Sequence, residues 1–215
     1  MKNNPTSPTG ADLAAGADPA ARPAQPAQSD WTMHYRPMTL LDVPQVHAID
    51  VLSFNLPWPE KSFQYELTQN QNSILWVAEA GRTEGAGRTH RSAPTAEDAE
   101  LQVARIAGMI VIWLVVDEAH VATIAIHPDF RGLGISKRLL ALGLRSAIER
   151  GAVESTLEVR QSNQVAQKLY EKFGYHEAGV RPRYYRDNNE DAILMTIQGI
   201  GSAYLSWLET MLKDT

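Results

Sequence analysis

The chain has 215 residues, a formal net charge of −5 and an ordinary apolar fraction of 44%, which suits one well-buried domain and makes two unnecessary. It contains no cysteine, so disulfides, thiolate metal sites and a cysteine nucleophile are excluded, and any group transfer is direct or uses another nucleophile. The acidic balance argues against nucleic-acid binding, which usually needs a basic surplus. No window holds the roughly 18 apolar residues of a membrane span, and the first residues lack a secretory apolar core. A cytoplasmic protein without membrane attachment is expected.

In chain order, residues 1–30 are rich in Pro, Ala, Gly, Thr and Ser. They lack the large apolar groups that offset ordering entropy, and a disordered tail is expected. Residues 31–198 carry an α/β pattern. Met33–Arg36 reads as a short strand. Thr39-Leu-Leu-Asp42 resembles a capping box, with Asp in place of Glu, and opens a helix towards Phe54. Pro57-Trp-Pro-Glu60 breaks the chain, and Pro59 suits the first turn of a second helix reaching about Asn70. Ile74–Glu79, Val103–Val116 and His120–Ile126 read as strands. The polar stretch 81–101 between the first two predicts a hairpin with an enlarged, mobile loop.

Ser136–Arg150 is helical in pattern, with Gly151 as its stop. Ser155–Val159 is a strand, Asn163–Phe173 a helix stopped by Gly174, and Tyr175–Gly179 and Ala192–Ile197 are further strands. Three antiparallel strands followed by strand–helix–strand–helix–strand predict a mixed α/β sheet. Residues 199–215 carry Tyr204, Leu205, Trp207, Leu208 and Leu212 at near-helical spacing. They read as an amphipathic C-terminal extension packed on its own domain, with docking to a partner as the alternative.

The segment from His127 to Leu140 holds the clearest chemistry. A β-type run ends at Pro128, and a helix follows Arg131-Gly-Leu-Gly-Ile-Ser136. Gly132 and Gly134 let backbone N–H groups approach an anion closely. The helix start adds unpaired donors and the positive end of its dipole, and Arg131 and Lys137 add charge. This arrangement suits a diphosphate. A dinucleotide fingerprint needs a third glycine where Lys137 stands, and a P-loop motif is absent. By itself the loop also fits an ordinary strand-to-helix turn. The six histidines, at 34, 47, 90, 120, 127 and 176, form no HExxH-like pair, and no metal is expected.

The run R-G-x-G-x-[G/A/S] after I-x-P resembles the acetyl-CoA motif of the GNAT N-acetyltransferase superfamily. The similarity continues through Leu157-Glu-Val-Arg160, Ser162-Asn163, Ala166, Leu169-Tyr-Glu171 and Phe173-Gly-Tyr175. It resumes at Arg183-Tyr-Tyr185 and Glu190-Asp-Ala-Ile-Leu-Met195, and upstream at Pro57-Trp-Pro-Glu-Lys-Ser-Phe63. Within the superfamily this set resembles the RimI-type branch, which acetylates the N-terminal alanine of a small-subunit ribosomal protein. The resemblance covers about Thr32 to Ile197. It implies a GNAT fold, a mixed and mostly antiparallel sheet flanked by helices, with splayed central strands holding acetyl-CoA. Ser136 stands where the family usually has a small Gly or Ala.

The resemblance implies that Ile124, Ala125 and Ile126 line the pantetheine arm. Arg131, Gly132, Leu133, Gly134, Ile135, Ser136 and Lys137 would hold the diphosphate, with Asn163 also touching the cofactor. The implied general base is Glu158, and the implied acid is Tyr170. Leu56, Trp58, Tyr184 and Tyr185 are implied walls for the peptide end. From pattern alone, Glu158 reads rather as an exposed strand carboxylate paired with Arg160, and only the surrounding resemblance makes it the base. Tyr170 also belongs to a core stripe with Ala166, Leu169 and Phe173. Asn163 reads as a helix cap.

The implied reaction is acetyl transfer to a protein N-terminus. An α-amino group has a pKa near about 8 against roughly 10.4 for lysine, so it is the easier amine to present neutral. A broader N-terminal or lysine acetyltransferase, or a non-catalytic acyl-CoA-binding module, would carry much of the same pattern.

Overall fold

A computed structural model of the chain describes residues 31–82 and 105–213. The expected tail, and the expected insertion beyond Arg82, lie outside the described residues. Seven strands form one sheet: β1 (Trp31–Pro37), β2 (Ser73–Arg82), β3 (Arg105–Val115), β4 (Glu118–Ile126), β5 (Glu154–Arg160), β6 (His176–Tyr185) and β7 (Glu190–Gln198). The helices are α1 (Val43–Ser53), α2 (Glu60–Thr68), α3 (Ile135–Glu149), α4 (Gln164–Lys172) and α5 (Ser202–Lys213).

The strand order is β1-β2-β3-β4-β5-β7-β6. Every neighbouring pair is antiparallel except β4 and β5. The sheet is therefore mixed and mostly antiparallel, as expected, with β1 added at one edge of the expected three-stranded run.

β3 is buried along almost its whole length, from Ile106 to Leu114. A strand covered on both faces shows a continuous apolar run rather than alternation. One face carries a core that includes Ile110, Ile112, Leu139, Tyr170, Phe173 and Leu208. The other carries Val46, Ile49, Trp58, Phe63, Met109 and Val111, contributed partly by α1 and α2. The C-terminal extension is helical and lies on its own domain. Leu208 is fully buried, Trp207 meets Phe173 edge-on, and the Tyr204 hydroxyl donates to the Phe173 carbonyl at 2.7 Å.

Two local readings shift. Thr39 caps a one-turn 3-10 helix, Leu40–Asp42, rather than α1 itself. The Asp42 carboxylate accepts from the Thr39 N–H at 2.7 Å and holds the Arg36 guanidinium at 2.7 and 2.8 Å. β6 runs on to Tyr185, well past Gly179. Its residues are mostly exposed, so apolar periodicity does not mark them, and pairing with β7 extends the strand.

Asp50 of α1 is fully buried, and one of its oxygens accepts the Trp58 N–H at 2.6 Å. Burial pushes its carboxyl up to about 7. The folded state thus holds this proton more tightly than the unfolded chain, and stability falls as pH rises from about 4 through about 7. Asp50→Asn is expected to remove about 2–3 kcal/mol of stability loss between pH 5 and pH 8. Urea denaturation of both proteins at the two pH values measures this. An equal loss in both would refute it.

Candidate active site

The site begins where the sheet divides. β4 and β5 pair in parallel over only three positions, Glu118 with Glu154, Ala119 with Ser155, and His120 with Thr156. Beyond them, residues 121–126 of β4 and 157–160 of β5 have no register with each other. The two strands fork, which leaves a backbone edge of β4 facing a cleft. Each strand feeds a helix, β4 into α3 and β5 into α4. Both helix starts therefore lie beyond the carboxyl ends of the parallel pair, where ligands of α/β sheets bind.

Glu158 sits just past the fork. Alternation sends Leu157 and Val159 into the core that contains Tyr170, and Glu158 to the opposite face. Its side chain is only 2% exposed. One carboxylate oxygen is 2.7 Å from Nη1 of Arg181, and the other is 3.4 Å from Nε2 of His120. Arg181 reaches it from β6, crossing β7 at Ala192, its register partner.

Arg160, the neighbour that sequence offers as partner, pairs elsewhere. It contacts both oxygens of Asp187 at 3.0 and 3.1 Å, and its guanidinium carbon lies 3.9 Å from the centre of the Tyr185 ring. Asp187 also accepts from the Asn55 amide at 2.8 Å. Desolvation opposes its charge, but the hydrogen bonds from Asn55 and Arg160 hold the carboxyl below its usual range. This link joins the α1–α2 connection to the β6–β7 turn.

The glycine loop has the conformation its residues allow. Gly132 and Gly134 have φ of +84° and +75°, the left-handed region that L side chains resist. Gly134 is the N-cap of α3, which starts at Ile135, one residue before the sequence reading. The first helical hydrogen bond runs from Arg138 N–H to the Gly134 carbonyl. The amides of Ile135, Ser136 and Lys137 precede it and have no helical acceptor a turn earlier. The Arg131 side chain folds back, its Nε donating to the Ile126 carbonyl at 3.2 Å. The loop is thus fastened to the end of β4. These residues fit a diphosphate at a helix start.

Asn163 is 2% exposed and caps α4, its Oδ1 accepting from the Ala166 N–H at 3.1 Å. Tyr170 is fully buried, with its ring 5.7 Å from that of Tyr175. Ile124 and Ala125 are fully buried in β4, and Ile126 is nearly so. Of the four expected wall residues, Leu56 is half exposed and Tyr184 is partly exposed, while Trp58 and Tyr185 are buried. Trp58 stacks on Trp113, and Trp113 stacks on His120, each pair 5.8 Å apart. Trp58 therefore backs the site from inside the core.

Comparison with known proteins decides the family. Residues 43–175 match the Acetyltransferase (GNAT) family. The chain belongs to the GNAT acetyltransferase family. A Bacillus subtilis protein named putative ribosomal protein bS18-alanine N-acetyltransferase is 36% identical over 162 residues, 75% of this chain and 93% of its own. The Escherichia coli ribosomal protein bS18-alanine N-acetyltransferase is 29% identical over 167 residues, 73% of this chain and 90% of its own. A crystal structure of the ribosomal-protein-S18-alanine N-acetyltransferase from Escherichia coli matches with a TM-score of 0.61 and 27% identity, covering 80% of this chain and 96% of that one.

This GNAT acetyltransferase also carries groups around Glu158 that its sequence does not single out. His120 and Arg181 contact Glu158 from β4 and β6, about forty and twenty residues away in the chain. No spacing rule links them, since only the fork and the β5-β7-β6 order bring them together.

Proposed function

We propose that this enzyme transfers an acetyl group from acetyl-CoA to the N-terminal α-amino group of a protein, and specifically to the N-terminal alanine of ribosomal protein bS18. The relatives named for that activity support the substrate. The observation that carries the chemistry is the fork between β4 and β5, with Glu158 on one face and the Tyr170 core on the other. The reading places the enzyme in the cytoplasm, acting on a protein terminus, with no metal, membrane or direct nucleic-acid partner.

In this mechanism the loop amides of residues 132–137, with Arg131 and Lys137, hold the diphosphate. The edge of β4 at Ile124, Ala125 and Ile126 pairs with the pantetheine arm as an added strand does. Asn163, while capping α4, borders the same arm. Leu56, Trp58, Tyr184 and Tyr185 shape the peptide end. Glu158 takes the proton of the attacking amine, the Ile126 N–H stabilises the oxyanion, and Tyr170 protonates the departing thiolate.

The test is a panel of peptides starting with Ala, Met or Ser, plus one with a blocked N-terminus and an internal Lys. The Ala peptide carrying the bS18 start is expected to be acetylated at least about tenfold faster than the others, a difference of about 1.4 kcal/mol in the barrier. Labelling of the lysine side chain alone would overturn the proposal in favour of a lysine acetyltransferase. Binding of acetyl-CoA without turnover on any peptide would favour the acyl-CoA-binding module.

A further inference from the structure

Three further polar side chains lead away from Glu158 below the fork. Its Oε2 lies 3.4 Å from His120 Nε2, His120 Nδ1 lies 3.1 Å from the Thr156 hydroxyl, and that hydroxyl lies 2.5 Å from Glu118 Oε1. His120 and Thr156 are register partners, the last pair before β4 and β5 separate. Glu118 is partly exposed, whereas Glu158 is buried. The series therefore runs from the closed end of the site to solvent.

The direction of each hydrogen bond follows from its acceptor. An ionised carboxylate only accepts, so the Thr156 hydrogen points to Glu118. The Thr156 oxygen must then accept from Nδ1–H of His120. That tautomer leaves Nε2 with a bare lone pair, 3.4 Å from Glu158 Oε2. Neither Nε2 nor Glu158 Oε2 has a hydrogen-bond partner among the described residues, and a 3.4 Å gap leaves no room for a water between them.

The charged groups facing His120 are Glu118 on its own strand, Glu158 on β5 and Arg181 on β6. Burial lowers its proton affinity most; the two carboxylates oppose this, and Arg181 adds to it, with a net lowering. The ring is thus neutral and has room for one proton at Nε2. The Trp113 stack fixes the ring plane. A histidine that gains a proton on one nitrogen and gives one up from the other is a shuttle.

We infer that His120, Thr156 and Glu118 form a proton relay that carries the amine's proton from Glu158 to solvent. The inference rests on Glu158 being the base. An ammonium nitrogen enters with three protons and leaves as an amide with one. The N–C bond forms, the C–S bond breaks, and the thiolate takes the proton of Tyr170. One departing proton restores Tyr170, and the other must reach water. It passes from Glu158 to Nε2 of His120. Nδ1 then releases its proton to Thr156, which passes its own to Glu118. His120 and Thr156 act through Glu158 and are positioning residues, not groups that touch substrate.

The test compares Thr156→Val, Glu118→Gln, His120→Ala and Glu158→Gln, using acetyl-CoA, the Ala peptide and a weakly buffered solution. Thr156→Val breaks the relay with a side chain that suits a strand. Both Thr156→Val and Glu118→Gln are expected to lower kcat about tenfold at neutral pH, with KM for both substrates within about twofold. Added imidazole is expected to restore the rate in both, and also in His120→Ala, while leaving the wild type unchanged. Two results would overturn the relay: wild-type kcat in Thr156→Val and Glu118→Gln, or a slow rate that imidazole and pH leave untouched, as a structural defect would give. If Glu158→Gln also turned over at the wild-type rate, the assignment of the base would have failed as well. Should His120→Ala fail to fold, the other two relay variants decide the question.

Discussion

Glu158→Gln is expected to lower kcat by about 10²- to 10⁴-fold, the range that a positioned acid or base supplies. Acetyl-CoA affinity is expected to stay within about twofold, because Glu158 lies on the face opposite the core that holds Tyr170 and that Leu133 and Ile135 of the glycine loop pack against. Glutamine keeps the shape of the side chain but cannot take a proton from an amine. Arg181 loses its charged partner, yet its side chain is 52% exposed and can turn to water, so the fold should tolerate the change. Initial rates and a calorimetric acetyl-CoA titration on the same preparation separate the two quantities. Full activity in the variant would remove Glu158 from the chemistry.

The second large effect falls on the loop. Gly134→Val places a β-branched side chain at φ +75°, a conformation costing roughly 1–2 kcal/mol for L residues. A Cβ there meets nothing within 4 Å, so the cost comes from the backbone rather than a clash. The loop should relax and turn its amides away from the diphosphate. KM for acetyl-CoA is expected to rise at least about tenfold, which corresponds to about 1.4 kcal/mol. Gly151→Val is the control. Gly151 has φ +101° and equally open surroundings, but lies past the far end of the same helix. It should lose similar stability and keep its acetyl-CoA KM. Equal KM values in the two variants would show that the loop does not hold the diphosphate.

Much of the fold is legible because local chemistry and tertiary packing agree. Gly151 and Gly174 end α3 and α4 in left-handed conformations, and Asn163 caps α4. The fully apolar run of β3 announces a central strand. What sequence missed has a physical cause in each case. β6 extends past Gly179 to Tyr185 across a register break between Arg181 and Tyr185, where Arg183 takes a positive φ and its N–H donates to the Asp191 carboxylate of β7, a contact that no local pattern in the segment announces. Sequence also does not show that the Trp58 ring is buried against Trp113, because the Pro-Trp-Pro pattern cannot tell a ring packed in the core from one standing in the open.

The site divides the same way. The turn at the glycine loop and the Asn163 cap are legible because each is tied to a short local motif, whereas Glu158 is singled out by the family resemblance alone. The partners of Glu158 are not. Alternation sends Glu158 and Arg160 to one face, which suggests a pair along β5. Arg160 instead joins Asp187 and Glu190 at the β6–β7 turn, and Arg181 takes its place. His120 meets Glu158 only because the parallel pairing stops at Thr156. That stop is a property of the sheet, and no window of residues encodes it.

Acetyl transfer to the N-terminal alanine of bS18 is tested directly by mass spectrometry of unacetylated small-subunit ribosomal proteins incubated with this enzyme and acetyl-CoA. bS18 is expected to gain the mass of one acetyl group, located by fragmentation on its N-terminal alanine, and Glu158→Gln is expected to suppress that gain at the same incubation time. An unchanged bS18, or an acetyl group found only on lysine side chains, would contradict it.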